Sequence, residues 1–190
     1  MPLLLFLLLA KPFWEAKPPA EWSNEELERM FVNSPWGQEA TVSGPAPAVV
    51  VYLATAKPMR DAEAETTRRF LPPGARMDPT HDDYEDWLRE NPGKLIVLAV
   101  RVDPKDGLDA ADVQRMDQES FLKAGKKKWK LLGHFPPTPR DPWLRLVFPR
   151  EVSAKDKSVE FEIYVPGLSS PYRQATFALK DLLFNGAPEF

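Results

Sequence analysis

The sequence contains no cysteine and only two histidines among its 190 residues. Without cysteine there is no disulfide, no thiol catalysis, no thiolate zinc site and no iron–sulfur cluster. The nine glycines are scattered singly, so the sequence has neither a phosphate-binding loop nor a dinucleotide fingerprint. No G-x-S-x-G turn occurs, which leaves a serine hydrolase of that type without support. These absences exclude the enzyme classes that are easiest to recognise.

Charge and proline content narrow the alternatives further. Lysine and arginine total 25 against 28 acidic residues, and this net charge of −3 gives no general attraction to nucleic acid or to an anionic membrane. Proline is abundant instead, at 21 residues, about twice its usual share of roughly 5%. Since proline interrupts helices and central strands, we expect a fold of short elements joined by many loops.

The chain begins with the apolar run Pro2–Ala10. The run is too short to cross a membrane, which takes about 20 apolar residues, so no transmembrane span is predicted. It matches the apolar core and end of a signal peptide, with Ala10 as the cleavage residue, and a start codon placed too late would explain the missing basic segment. A buried N-terminal strand is the alternative. We expect residues 1–10 to be a truncated signal peptide and the protein to be exported, to the periplasm or beyond.

The clearest helix start follows at Trp22. Ser23 and Glu26 have the spacing of a capping box, and Trp22 and Leu27 that of a hydrophobic staple. Pro35 is expected to end this helix, because a residue before proline avoids the helical conformation. A helix this short needs tertiary packing to be stable.

The rest of the chain predicts an α+β domain with a mainly antiparallel sheet of seven or eight strands, curled or sandwich-like, and about three short helices. Residues 11–21 are expected to form an extended proline-rich arm, and residues 22–190 a single domain. Leu95–Val102 is the expected central strand, and the alternation in Ser158–Val165 indicates a strand with one wet face. A second helix, opened by Lys57-Pro58 and stopped by Pro72-Pro73-Gly74, is predicted to have one apolar face, whose members are Met59, Ala62, Thr66 and Phe70.

Three groups of residues carry a resemblance. They are Trp22-Ser23…Glu26…Ser34-Pro35-Trp36, the stretch from Ala56 to Ala62, and Phe148-Pro149-Arg150…Val159-Glu160-Phe161…Phe177-Ala178-Leu179-Lys180-Asp181-Leu182. This pattern is similar to a family of uncharacterised, predicted exported bacterial proteins. The resemblance implies export and a β-rich single domain, and it assigns no functional residue.

One grouping of residues suits a metal or acid–base site: His81, Asp82 and Asp83 with the distant His134. Two imidazoles and carboxylates can hold zinc or a non-haem metal if they converge. The alternative is structural, because acidic residues in the first turn of a helix stabilise its positive end. We favour the structural interpretation and predict no metal and no cofactor.

The sequence has one basic cluster, formed by Lys126, Lys127, Lys128, Trp129 and Lys130. Lysines around an aromatic ring can bind an anionic polymer by charge and stacking. The alternative is a hairpin whose lysines keep an exposed sheet edge from pairing with other chains. In a protein that is acidic overall, the second interpretation is favoured.

Together these features predict a non-catalytic exported protein that serves as a binding or structural module of the bacterial cell envelope, with a protein partner there. A hydrolase that uses carboxylates and a histidine is the alternative, and an anionic-polymer binder acting through the lysine hairpin is the second alternative. Nucleic acid is not an expected ligand, and the oligomeric state cannot be derived from the sequence.

The signal-peptide prediction has a direct test. Deleting residues 1–10 should leave the thermal unfolding temperature of the purified protein nearly unchanged, because a cleavable segment contributes no packing. A decrease of several degrees, measured by circular dichroism, would instead mean that the run is packed as a strand.

Overall fold

The computed structural model describes residues 11–42, 46–102, 108–153 and 155–190; the predicted signal segment lies outside this part. The helices are α1 (Phe13–Ala16), α2 (Asn24–Val32), α3 (Lys57–Phe70), α4 (Pro79–Glu90) and α5 (Ala110–Glu119), with a 3-10 turn at Pro19–Glu21. The strands are β1 (Gly37–Ala40), β2 (Val49–Leu53), β3 (Leu95–Arg101), β4 (Phe121–Ala124), β5 (Lys127–Lys130), β6 (Gly133–Phe135), β7 (Trp143–Pro149), β8 (Ser158–Tyr164), β9 (Tyr172–Ala178), β10 (Leu183–Phe184) and β11 (Ala187–Pro188).

The strands form two antiparallel sheets and a small hairpin. Sheet A has the order β1-β2-β3-β7-β6, sheet B the order β5-β4-β8-β9, and β10 pairs with β11. The α+β class with mainly antiparallel sheets is therefore confirmed, and β3 is central as predicted. The predicted arrangement, seven or eight strands in a curled or sandwich-like sheet, differs from the structure, which has one sheet of five strands, one of four and a two-stranded hairpin. Periodicity shows which residues of a strand are buried but not which strands pair, so it could not divide the strands between two sheets.

The two sheets pack against each other through aromatic side chains. The Phe148 ring of β7 lies 5.5 Å from the Phe161 ring of β8, and Phe161 lies 5.9 Å from Phe177 of β9. At one edge, the backbones of Thr41 and Gln174 exchange two hydrogen bonds of 2.8 and 3.0 Å. This bridge joins the end of β1 to β9. Sheet A thus has one face on sheet B, and helices pack on its other face.

Helix α2 begins as the sequence predicted. Ser23 accepts a hydrogen bond from the backbone N–H of Glu26, and the Glu26 carboxylate accepts one from the backbone of Ser23. The helix ends at Val32, earlier than Pro35 alone would require, and the chain turns into β1 at Gly37. A Cβ at Gly37 would lie 2.3 Å from the carbonyl oxygen of Met30, so only glycine allows this close approach.

The predicted extended arm is instead two helical turns, Phe13–Ala16 and Pro19–Glu21. Proline favours the start of such turns, because its fixed φ is helical and its missing N–H is not needed there. The rings of Phe13 and Trp14 lie 5.5 and 5.9 Å from those of Trp22 and Trp36. The arm therefore packs on the domain.

The described residues contain five helices where about three were expected. Besides α1, the additional one is α5, which has the Asp109 side chain as its N-cap and buries Met116. The helical pattern of this segment is weak, because the segment is polar and Met116 is its only fully buried side chain. No described helix is long and apolar enough to cross a membrane.

A charged contact ties α3 to the start of α2. Glu65 is buried between Arg68 and Arg69, whose guanidinium groups lower the pKa of its carboxyl group to about 2, with Arg68 the larger influence. Arg69 also donates to the backbone oxygen of Trp22 at 2.7 Å and to the side chain of Asn24 at 3.0 Å. Helix α2 is thus held by a polar contact as well as by its apolar face.

The packing around helix α2 and the capping of this helix can be compared with two substitutions. Trp36 is completely buried, and its Nε1–H donates to the backbone oxygen of Glu189 at 2.6 Å. Trp36→Ala should lower the free energy of unfolding by about 3–5 kcal/mol, because it leaves a cavity in the core. Ser23→Ala should cost only about 1 kcal/mol, the usual value of an N-cap. Urea denaturation gives both values, and the reverse order would contradict the packing described here.

Candidate functional site

A cleft of about 640 Å³ lies between α2, α3 and the segment that leads into β7. One wall is apolar and is formed by Leu27, Phe31, Phe70, Met77 and Trp143. The polar part of the lining contains side chains from α3, from α4, from β7 and from the segment before β7. Such a combination of apolar walls with a few converging polar groups is typical of small-molecule sites.

The polar part is built around Arg145, which is 3% exposed. Its guanidinium donates to Oδ2 of Asp141 at 2.5 Å and to Oε1 of Glu63 at 2.9 Å. Tyr52 also donates its hydroxyl to Oε1 of Glu63, and the Arg145 guanidinium lies 4.5 Å from the centre of the Tyr84 ring. We call Tyr52, Glu63, Tyr84, Asp141 and Arg145 the Arg145 cluster.

Strand register explains how this cluster is positioned. Tyr52 of β2 lies opposite Ala99 of β3, which lies opposite Arg145 of β7, and Arg145 lies opposite Phe135 of β6. Residues directly opposite each other share a face of the sheet. The small side chain of Ala99 leaves room between the tyrosine and the arginine, so both can reach Glu63 of the overlying α3.

The environment fixes the charge state of the cluster. Burial and the nearby Glu63 carboxylate raise the pKa of Tyr52 well above its usual value, and burial also raises that of Tyr84. Although burial opposes ionisation of Arg145, the carboxylates of Glu63 and Asp141 keep its pKa above the ordinary range. Arg145 is therefore charged, and Tyr52 and Tyr84 are neutral, at neutral pH.

The apolar wall is a set of packed aromatic rings. Phe31 stacks on Trp143 with ring centres 5.6 Å apart and an interplanar angle of 20°, and both rings lie edge-on to Tyr52. Phe70, at the end of α3, is 61% exposed at the rim. The sequence predicted Phe70 on the apolar face with Met59 and Ala62, which are indeed buried. Phe70 lies on the same side of the helix but outside the core, because the last turn of α3 is at the cleft.

Several polar atoms at the cleft are buried without a hydrogen-bond partner. Among the described residues these atoms are Oγ1 of Thr66, Nδ1 of His81, the hydroxyl of Tyr84 and Nε of Arg145; a fifth, Nε of Arg173, belongs to sheet B. Thr66, His81 and Arg145 line the cleft, and Tyr84 packs beneath Arg145. Each buried unpaired group costs roughly 1–3 kcal/mol, so their concentration at one cleft needs an explanation.

The sequence-predicted histidine group is not assembled. His81 is in the first turn of α4 and lines the cleft, while Asp82 and Asp83 are exposed. His134 lies opposite Leu146 in β6, one position away from Phe135, so it points to the face of sheet A that packs on sheet B. The described residues contain no group of three His, Cys, Asp or Glu side chains that could hold a metal ion.

The lysine cluster forms the predicted hairpin, with β4 and β5 joined at Gly125 and Lys126. Strand β5 is an edge of sheet B. Lys128 lies 3.5 Å above the ring of Phe121 and 3.9 Å from the Glu162 carboxylate, and the Trp129 indole donates to Glu151. Lys126, Lys127 and Lys130 are exposed. Part of the basic charge is thus paired within the protein, and lysines on an edge strand protect it from further pairing.

Sequence reasoning missed the residues that define the cleft: Glu63, Asp141 and Arg145. One signal was present, because Arg145 is a charge inside the otherwise apolar strand Trp143–Pro149. A charged residue at an inward position of a strand needs a partner. The partners come from α3 and from a loop, and no local pattern connects those segments.

Comparisons with protein families, curated proteins and solved structures found no match to this chain. The resemblance to predicted exported proteins therefore stays a prediction, and the function has to be argued from the cleft itself.

Proposed function

We propose that this protein is a non-catalytic binding module that holds a small organic molecule in the cleft beside Arg145. The observation that carries the proposal is the convergence of unpaired buried polar atoms on this cleft, from Thr66, His81 and Arg145. A ligand that hydrogen-bonds to such groups removes the cost of leaving them unpaired.

The size and composition of the cleft support a small ligand. Its volume of about 640 Å³ lies within the range of roughly 300–1,000 Å³ that is usual for small-molecule sites. The stacked rings of Phe31 and Trp143 supply apolar contact, and the Arg145 cluster beside them supplies fixed polar groups. Because the cluster is held by internal hydrogen bonds, it is in place before a ligand arrives, which lowers the entropic cost of binding.

The surface gives less support to the protein partner that the sequence suggested. Four large apolar side chains are exposed among the described residues: Phe70, Leu132, Tyr172 and Leu183. They come from four separate segments of the chain: α3, the segment before β6, β9 and β10. Protein-binding surfaces generally present a contiguous apolar patch. Phe70, the most exposed of the four, is at the rim of the cleft.

A carboxylate–histidine hydrolase is the second candidate, because His81, Glu63 and Asp141 line the same cleft. A hydrolytic site of this kind needs the base to be oriented by a hydrogen bond. Nδ1 of His81 is 3.9 Å from the nearest Asp82 oxygen and has no hydrogen-bond partner among the described residues, while Arg145 donates to both carboxylates. This arrangement supports binding better than catalysis.

Export to the cell envelope is part of the same proposal. It is supported by the apolar run Pro2–Ala10 and by the absence of cysteine, which suits a protein that folds where thiols become oxidised. The third candidate, binding of an anionic polymer by the hairpin lysines, receives less support from the partial pairing of Lys128.

The proposal is tested by comparing two exposed apolar positions. Phe70 at the cleft and Leu132 outside it are 61% and 60% exposed, so Phe70→Ser and Leu132→Ser should each change the free energy of unfolding by less than about 0.5 kcal/mol. The two variants and the unmodified protein are screened by two-dimensional NMR against a library of soluble small molecules. We expect compounds that shift the Trp143 indole N–H signal, and we expect Phe70→Ser, but not Leu132→Ser, to weaken them.

Either of two results would contradict the proposal. One is a screen in which no compound perturbs the cleft. The other is a set of ligands whose affinities are equal in the two serine variants, since those ligands would bind elsewhere. Turnover of a bound compound, seen as new product signals, would favour the hydrolase instead.

A further inference from the structure

We infer that the ligand of this cleft is a neutral saccharide, of about the size of a disaccharide. This inference rests on the proposed function and deepens it, because it names the chemical class that the cleft can accept. It is carried by three properties of the described residues: the balance of charge, the mixture of donors and acceptors, and the aromatic wall.

The charges of the described residues that line the cleft balance each other. Among them are three arginines and three carboxylates: Arg101, Arg140, Arg145, Glu28, Glu63 and Asp141. Within the Arg145 cluster, the guanidinium of Arg145 binds Glu63 and Asp141, so a carboxylate ligand placed beside them would be repelled by two negative charges. An ammonium ligand at the same place would be repelled by the guanidinium. Since a charged ligand gains no net attraction but loses its hydration, the cleft favours a neutral one.

The polar part of the cleft offers a ligand both hydrogen-bond donors and acceptors. The hydrogen bonds that the described residues donate to these two carboxylates end on Oε1 of Glu63 and Oδ2 of Asp141, so Oε2 and Oδ1 remain for a ligand. Nε of Arg145 is an unpaired donor, and the Thr66 hydroxyl can act in both ways. A hydroxyl group both donates and accepts, and a ligand with several hydroxyls therefore satisfies this mixture better than a carbonyl or an ether.

The aromatic residues of the cleft suit the apolar faces of a sugar ring. A pyranose presents hydroxyls at its rim and C–H groups on its faces, and C–H groups carry a slight positive charge that aromatic faces attract. Phe31, Phe70 and Trp143 line the cleft, where Trp143 lies 4.7 Å from the Tyr52 ring of the Arg145 cluster and Phe70 is exposed at the rim. A neutral molecule that is polar at its edge and apolar on its faces fits both parts of the cleft at once.

The test uses the full chain and five probes. Three are neutral disaccharides, cellobiose, maltose and N,N′-diacetylchitobiose, and two are charged compounds that share one aromatic ring, phenylacetate and phenethylammonium. Binding is measured by saturation-transfer NMR and by calorimetric titration. We expect at least one disaccharide to bind saturably and more tightly than either charged probe.

A threonine substitution locates the binding. Thr66→Val should leave the fold intact, because Oγ1 of Thr66 has no hydrogen-bond partner among the described residues, and it should weaken the disaccharide about tenfold by removing a hydroxyl contact. Thr176→Val is the matched control, since Thr176 is an exposed residue of β9, away from the cleft. The control should bind as the unmodified protein does.

The outcomes separate this inference from the proposed function. If a charged probe binds and is weakened by Phe70→Ser while no disaccharide binds, the saccharide inference is wrong and the proposed function stands. If a disaccharide binds equally to the Thr66→Val and Thr176→Val variants, it does not use the polar part of the cleft, and the inference is also wrong. If none of the five probes binds, the saccharide inference is rejected, and the library screen decides the proposed function.

Discussion

The burial of Arg145 is the interaction on which the rest of the cleft depends. An isolated guanidinium would be very costly at this position, and two carboxylates from different parts of the chain, Glu63 and Asp141, make it tolerable. Glu63 also accepts a hydrogen bond from the Tyr52 hydroxyl, so this one carboxylate ties α3 to strands β2 and β7 of sheet A. Removal of one partner would leave a buried charge uncompensated, and we expect the cleft and the helix position to be lost together.

The Arg145 cluster is held by internal hydrogen bonds, but some of its polar atoms have no hydrogen-bond partner. Its internal bonds do not use Nε of Arg145 or the Tyr84 hydroxyl, and Thr66 and His81 add further unpaired atoms beside it. Proteins seldom retain such groups at a place where apolar side chains of similar size would cost less. A binding role accounts for their retention, whereas a purely structural role accounts only for the bonds that are already made.

Local patterns predicted the parts of the fold that local physics decides. The capping box at Ser23, the central strand β3 and the alternation of β8 follow from contacts within a few residues, and each is present. The division into two sheets depends on pairing between distant strands, and the cleft depends on Glu63 meeting Arg145 across 82 positions. No periodicity encodes those contacts. The sequence contains a charge inside an apolar strand, but no local pattern indicates its partners or the cleft around them.

The most direct measurement is the side-chain NMR signal of Arg145 Nε–H during titration with the strongest binder among the five probes. Arg173 is an internal control, because it is also buried, at 1% exposure, and also has an unpaired Nε, but it belongs to sheet B. If the polar part of the cleft binds the ligand, the Arg145 signal will shift saturably and the Arg173 signal will not move. An unchanged Arg145 signal at saturation, or an equal shift of both signals, would contradict the account.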